Sequence, residues 1–209
     1  MPLYKTLNKR NGTQIWVWKI EETEAELRRG IELSTNSLLR LSKMSSSLHR
    51  KGFLSIRRLL SRAGYSDHQL LYGDTGKPSL HDGKSVSITH SFEFTALITS
   101  NVKVGIDIEK QREKITSIAH KFVGSETFFL DTFIDKTREL TIIWGAKESM
   151  YKLYGIKGLG FREHCHVESF QLYDGKTTAA IEHHGKRLDF EIHFEEMEGF
   201  TLVYALPHE

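Results

Sequence analysis

The chain has 209 residues, 39% of them hydrophobic and 27% charged, and a net charge of +2. That length and mix suit one large or two small globular domains and exclude a disordered or low-complexity polymer. No apolar run approaches a membrane span, no charged-then-apolar leader opens the chain, and a single cysteine, Cys165, leaves no internal disulfide; a cytoplasmic protein is expected.

The small net charge hides an asymmetry. Residues 1–102 carry 15 Lys and Arg against 9 Asp and Glu, a balance of +6, whereas residues 103–209 carry 14 against 18, a balance of −4. No acidic residue lies between Glu32 and Asp67, yet Arg40, Lys43, Arg50, Lys51, Arg57, Arg58 and Arg62 fall there. A basic front half and a carboxylate-bearing back half suit a polyanion held together with a metal. The expected division is an N-terminal subdomain, 1–102, and a C-terminal subdomain, 103–209.

In chain order, Gln14 to Ile20 mixes aromatic and β-branched residues and reads as a strand. Glu21 to Leu33 is charged and helix-prone. Ser46 to Ala63 reads as a helix ending at Gly64, with Phe53, Ile56, Leu59, Leu60 and Ala63 as its apolar stripe. On the opposite side Arg50 and Arg57, seven apart, are expected to stack, flanked by Arg58 and Arg62. A turn-rich segment, Gly73 to Pro78, follows, then a short strand, Ser85 to Thr89. Thr95–Thr99 and Lys103–Glu109 read as a hairpin turning at Ser100-Asn101.

The second half opens with helical segments near Ile115–Val123 and Glu126–Ile134, then a longer helix from Lys136 to Tyr154 that stops at Gly155. Val167–Tyr173, Thr177–His183, Arg187–Glu195 and Phe200–Leu206 read as antiparallel strands, with Asp174-Gly175 as a hairpin signal. Each half thus offers helices and a small antiparallel sheet, an α+β class.

The chemistry concentrates in two places. In Val104–Lys110, strand geometry puts Ile106 and Ile108 on one face and Asp107 and Glu109 together on the other. Two like charges on one strand face repel, so a positive group is expected between them. A hard cation such as Mg²⁺ takes one or two carboxylates and completes its shell with phosphate oxygens and water. On the long helix, Trp144, Glu148 and Lys152 recur every four residues and line one side, which in isolation reads as an ordinary surface pair. His164-Cys165-His166 offers two histidines on one strand face but lacks further spaced ligands for a transition metal. The basic helix is joined by no aromatic interleaving or reader motif for nucleic acid.

Gly105-Ile106-Asp107-Ile108-Glu109 followed by Trp144-Gly145-Ala146-Lys147-Glu148-Ser149-Met150-Tyr151-Lys152 resembles the 4′-phosphopantetheinyl transferase superfamily, whose pattern is G-[IV]-D-x-E and then W-x-x-K-E-[AS]-x-x-K. Upstream, Gly76-Lys77-Pro78 and Thr89-His90-Ser91 resemble its G-K-P and S-H-S blocks in the expected order, with threonine for the commoner serine at 89. The length resembles the larger, Sfp-type branch, in which one chain holds two similar subdomains. The resemblance implies a pseudo-twofold pair of subdomains, each an antiparallel sheet packed on helices, working as a monomer. It implies transfer of phosphopantetheine from coenzyme A to a serine of an apo acyl, peptidyl or aryl carrier protein, with adenosine 3′,5′-bisphosphate as the other product.

By the same resemblance Asp107, Glu109 and Glu148 would hold Mg²⁺, with Mn²⁺ as a substitute, against the pyrophosphate. Glu148 would take the serine proton and Lys152 would meet the phosphate whose charge builds up; Asp107, Glu148 and Lys152 form the catalytic set. Arg50 and Arg58 match the positions that bind the 3′-phosphate of coenzyme A, with Arg57 as a rival to Arg58. Lys77 and Pro78 would shape the adenine-side wall, and Thr89 and His90 would donate to phosphates. Two other readings stand beside this one: a metal-dependent phosphohydrolase of a nucleotide or a molecule like coenzyme A, and a non-catalytic protein that binds coenzyme A or a carrier.

Overall fold

A computed structural model describes residues 3–73, 75–155 and 158–208. The chain divides into two units, Met1–Val102 and Lys103–Glu209. Both combine antiparallel strands with helices, so the class is α+β.

In the first unit, β1 (Leu3–Asn8) and β2 (Gln14–Lys19) form a hairpin. The helices α1 (Glu24–Arg28), α2 (Thr35–Ser42) and α3 (Ser47–Arg62) follow, then a small ribbon of β3 (Leu70–Tyr72) and β4 (Pro78–Leu80), and finally β5 (Ser85–Ser91) and β6 (Phe94–Ser100). The sheet order is β1-β2-β6-β5. Helix α3 starts where the Ser46 hydroxyl accepts from the His49 amide, and it ends before Gly64, whose φ of +87° suits glycine. Its stripe of Phe53, Ile56, Leu59 and Leu60 is buried in one core with Trp16, Trp18 and Leu97 of the sheet.

In the second unit, β7 (Gly105–Lys110) leads to α4 (Lys114–Ile118), a series of 3₁₀ turns across 119–132, α5 (Lys136–Tyr154), α6 (Phe161–His164) and the strands β8 (Cys165–Val167), β9 (Lys176–His183), β10 (Lys186–Met197) and β11 (Phe200–Pro207). The sheet order is β7-β11-β10-β9-β8, antiparallel at every step, so the unit's first strand pairs with its last. Asp135 caps α5 by accepting from the amides of Thr137 and Arg138, and Gly155 ends it at φ +72°. Ile142, Ile143, Ala146 and Met150 bury this helix against the sheet, in a core with Val203 and Ala205 of β11.

Several sequence expectations need correction. The predicted hairpin at Ser100-Asn101 does not form: β6 pairs with β5 and β2, whereas β7 pairs with β11. Ser100 and Asn101 instead bond back to the first hairpin, Ser100 Oγ to Thr13 Oγ1 at 2.8 Å and the Asn101 amide to the Asn11 carbonyl at 3.2 Å. The segment Glu126–Ile134 makes 3₁₀ turns rather than a helix, and Glu21–Leu33 is helical only over α1. Strand β8 stops at Val167, and the 168–175 connection winds through a 3₁₀ turn, Leu172–Asp174, before Gly175. Strand β1 was not anticipated at all.

Candidate active site

The second unit gathers its candidate residues where α5 crosses β7. The crossing is close because glycines permit it. A Cβ on Gly105 would sit 1.9 Å from the Ser149 carbonyl oxygen, and one on Gly145 would sit 2.6 Å from Val203 Cγ2. Ser149 then donates its hydroxyl to the Val203 carbonyl at 3.0 Å, fixing the helix over β11. The small residue of the G-I-D-I-E block is thus the seat of the helix that carries W-x-x-K-E.

That seating brings Asp107 and Lys152 together. Asp107 is 4% exposed, and its Oδ1 accepts from Lys152 Nζ at 2.7 Å. Lys152 also donates to the Ile106 carbonyl at 3.0 Å, so two of its three N–H groups are directed at β7. Glu148, one turn back on α5, is half-buried. Its carboxyl is pushed up to about 7, first by burial and then by the negative charges of Asp107 and Glu109, against the opposing pull of Lys152. The three carboxylates therefore feel one another, as two or more acids at a single site do.

This electrostatic strain tests the fit of a divalent ion. Among the described residues no three His, Cys, Asp or Glu side chains are close enough to enclose a metal as they stand. Mg²⁺ needs no such cage, because it binds through one or two carboxylates and keeps water and phosphate oxygens in the rest of its shell. The chemistry of Asp107, Glu109 and Glu148 suits that role. His164-Cys165-His166 does not converge. His164 ends α6 and accepts from the Gly160 amide, His166 pairs with Ser125 Oγ, and Cys165 is fully buried.

Beside Glu109 a pocket of about 230 Å³ is lined by Arg112, Lys114, Thr141 and Trp144 among others. Its aromatic wall, Trp144, is held edge-on by Phe122 and Phe161, at ring distances of 5.2 and 5.5 Å.

The candidate residues of the first unit separate. Arg57 is buried, not on a solvated face. Its Nε donates to Asp67 Oδ1 at 2.9 Å, Nη2 donates to Ser37 Oγ, and the guanidinium lies 3.5 Å from the Phe53 ring centroid. Arg58 caps α1 instead, donating to the carbonyls of Glu26, Leu27 and Arg29. Arg50 pairs with Glu24 at 2.8 Å and donates to the Met44 and Ser45 carbonyls. Lys77 and Pro78 sit at the β3–β4 turn, Pro78 opposite Tyr72.

His90 does reach a cavity. A pocket of about 270 Å³ is lined by Arg40, His49, Phe53, Tyr72, Ile88 and His90. His90 packs against Gly52 of α3, where a Cβ would stand 3.1 Å from its ring, and meets His49 edge-on at 5.9 Å. Ile88 and His90 share this face of β5, so Thr89, which is buried, points to the other. The residue missed from the sequence is Arg40. Its guanidinium lies 4.3 Å from the Tyr72 ring centroid and makes no ion pair among the described residues. It belongs to the acid-free basic stretch, but no motif marks it.

Residues 103–205, the part of the chain holding this crossing, match the sequence model of the 4′-phosphopantetheinyl transferase superfamily. The second unit carries the sequence pattern of that superfamily. Among solved structures, the crystal structure of Thermotoga maritima holo-[acyl-carrier-protein] synthase is similar at 18% identity and a TM-score of 0.37. That match covers 52% of this chain and 64% of the other, so the chain spans just under two thirds of the neighbour's length. No curated protein gives a significant match. The superfamily's two blocks are the residues that the Gly105–Ser149 contact brings together.

Proposed function

We propose that this chain is a member of that superfamily and transfers the 4′-phosphopantetheine arm of coenzyme A to a serine hydroxyl of an apo carrier protein, as a two-subdomain, Sfp-type enzyme. The supporting observation is the Asp107–Lys152 pair beside Glu148 at the α5–β7 crossing. In the reaction the serine oxygen bonds to the phosphorus that carries pantetheine. The bond from that phosphorus to the bridging pyrophosphate oxygen breaks, and adenosine 3′,5′-bisphosphate leaves.

Such a transfer asks a protein for alignment and charge neutralisation more than for covalent help. Glu148, a carboxyl that titrates near neutrality, is suited to accept the serine proton at its carboxylate oxygen. Lys152 is anchored by two of its N–H groups, which leaves its third to meet a phosphate oxygen. Asp107, Glu109 and Glu148 are the residues that would hold Mg²⁺ or Mn²⁺. When bound, the ion supplies Lewis-acid neutralisation of the pyrophosphate. In the first unit, Arg40, with the His49 and His90 rings beside it, lines the best-placed pocket for the 3′-phosphate, ahead of the internally engaged Arg50 and Arg58.

The test is mass spectrometry of apo-carriers, fatty-acid and secondary-metabolic, incubated with the protein, coenzyme A and Mg²⁺. A gain of one phosphopantetheine is expected on at least one carrier, lost in Glu148→Gln. No gain on any member of a broad panel would overturn the proposal, and release of adenosine bisphosphate without a carrier would point to a hydrolase.

A further inference from the structure

The W-x-x-K-E-S-x-x-K segment carries two lysines with opposite surroundings. Lys152 stands partly exposed beside Asp107, whereas Lys147 is wholly buried. Its Nζ lies 2.8 Å from Oε1 of Glu126, which is equally buried, and donates to the carbonyls of Phe122 at 2.7 Å and Phe161 at 3.1 Å. Three N–H groups meet three acceptors, so the ammonium is satisfied. Glu126 uses its remaining capacity on backbone: Oε1 accepts from the Val167 amide at 2.9 Å and Oε2 from the Gly124 amide at 2.8 Å. The pair thereby joins α5, the 122–126 loop, the start of α6 and strand β8. The loops are in backbone contact as well, since a Cβ on Gly124 would stand 2.2 Å from the Arg162 carbonyl oxygen.

A buried ion pair is a poor source of net stability, because desolvation offsets the attraction and an apolar pair of similar volume does as well or better. An apolar pair cannot hold two carbonyls in place. Those two carbonyls belong to Phe122 and Phe161, the residues whose rings grip Trp144. Trp144 in turn walls the pocket beside Glu109.

We propose that Lys147 and Glu126 are positioning residues for the transfer reaction: they fix Phe122 and Phe161, and through those rings the Trp144 wall of the pocket next to the carboxylates. This rests on the transferase reading for the reaction it serves, though not for the geometry it explains. Lys147 is then no ligand of substrate phosphate, despite its place in the motif. Its function is to make the register of two loops follow the helix that carries Glu148.

The experiment uses full-length protein labelled with fluorotryptophan. The chain has three tryptophans, and the Trp144 fluorine resonance is identified by its disappearance in Trp144→Phe. The double variant Lys147→Met with Glu126→Leu removes both charges together but leaves the Phe122 and Phe161 carbonyls and the Gly124 and Val167 amides without these partners. Its thermal midpoint is therefore expected to fall, and it is assayed well below that midpoint, where it is folded. Its Trp144 resonance should shift or broaden. Its kcat for carrier loading should fall on the order of a hundredfold, the cost of a small misplacement at a reacting centre, while KM for coenzyme A changes about twofold or less. A second variant, Phe161→Leu, keeps the ion pair and loosens only one ring, and should show the same resonance change with a smaller fall in kcat. A double variant with a native Trp144 resonance or native kcat would overturn the proposal, as would Phe161→Leu with an unmoved resonance. A wild-type chain that loads no carrier would sink the transferase reading alone, because the Trp144 resonance reports the positioning by itself.

Discussion

Arg50, Arg57 and Arg58 look alike in a helical sequence, yet each has a different occupation. Arg57 is tied to Asp67, which also accepts from the Ser34 amide and the Ser37 hydroxyl. Burial alone would raise the Asp67 carboxyl, but those hydrogen bonds and the Arg57 charge outweigh it and hold it below its usual range. A carboxyl depressed in the folded state contributes stability that is present above its unfolded pKa, about 4, and is lost as pH falls through the folded value. Asp67→Asn should therefore cost about 3–5 kcal/mol at pH 7, where it leaves Arg57 buried and unpaired. The gap to wild type should narrow at pH 3. Urea midpoints at the two pH values check this, and an equal gap at both would refute it. What misled the sequence reading was the assumption that an arginine off the apolar stripe meets solvent. The Asp67 partner lies ten positions away, beyond the helix end, where no helical periodicity can point to it.

At the scale of elements, α3, α5 and the strands from β9 to β11 were legible because apolar periodicity and end signals agreed. Gly64 and Gly155 mark the stops of the two long helices, and buried side chains mark their inner faces. The β6–β7 hairpin does not form although both segments read as strands: each is buried on both faces, so alternation does not say which partner each strand takes. The motif residues themselves were legible as a pattern, and Asp107, Lys152 and Glu148 do gather. The reason for the pattern's glycine was not, since a crossing of helix over strand is a contact between distant parts of the chain. Gly105→Ala should cost about 1–3 kcal/mol or more, because the Ser149 carbonyl is backbone and can move only with its helix. The same shift should separate Lys152 from Asp107, so the rate of carrier loading should fall further than stability alone explains. Gly73→Ala is the control: nothing lies within 4 Å of an added Cβ there, and a change within about 0.5 kcal/mol is expected. Thermal midpoints and transfer rates of the two variants measure the contrast, and similar behaviour of both would remove the crossing from the explanation.

For the molecule as a whole, the +6 and −4 balances of the two units suit the proposed division of work, phosphate contacts by one unit and cation-dependent chemistry on the other. Coenzyme A carries a 3′-phosphate besides its pyrophosphate, so the acid-free stretch between Glu32 and Asp67 should act on it through screened, long-range attraction as well as contact. Arg50, Arg57 and Arg58 are occupied within the unit, so Arg40, which lines the His90 pocket, is the arginine best placed for the contact part of that attraction. Raising KCl from about 50 to about 500 mM contracts the Debye length from roughly 14 to roughly 4 Å and should raise KM for coenzyme A on the order of fivefold. With dephospho-coenzyme A the rise should be shallower, since one dianionic group is gone. Arg40→Ala should bring the two salt slopes together by raising KM for coenzyme A at low salt, with kcat little changed. Arg50→Ala should instead act through the α3 junction with Glu24, weakening both donors alike. Equal slopes for both donors in the wild type would remove the 3′-phosphate from the first unit's basic face. A steeper effect of Arg50→Ala on coenzyme A than on its dephospho form would return that phosphate to Arg50 and show that its bond to Glu24 opens on binding.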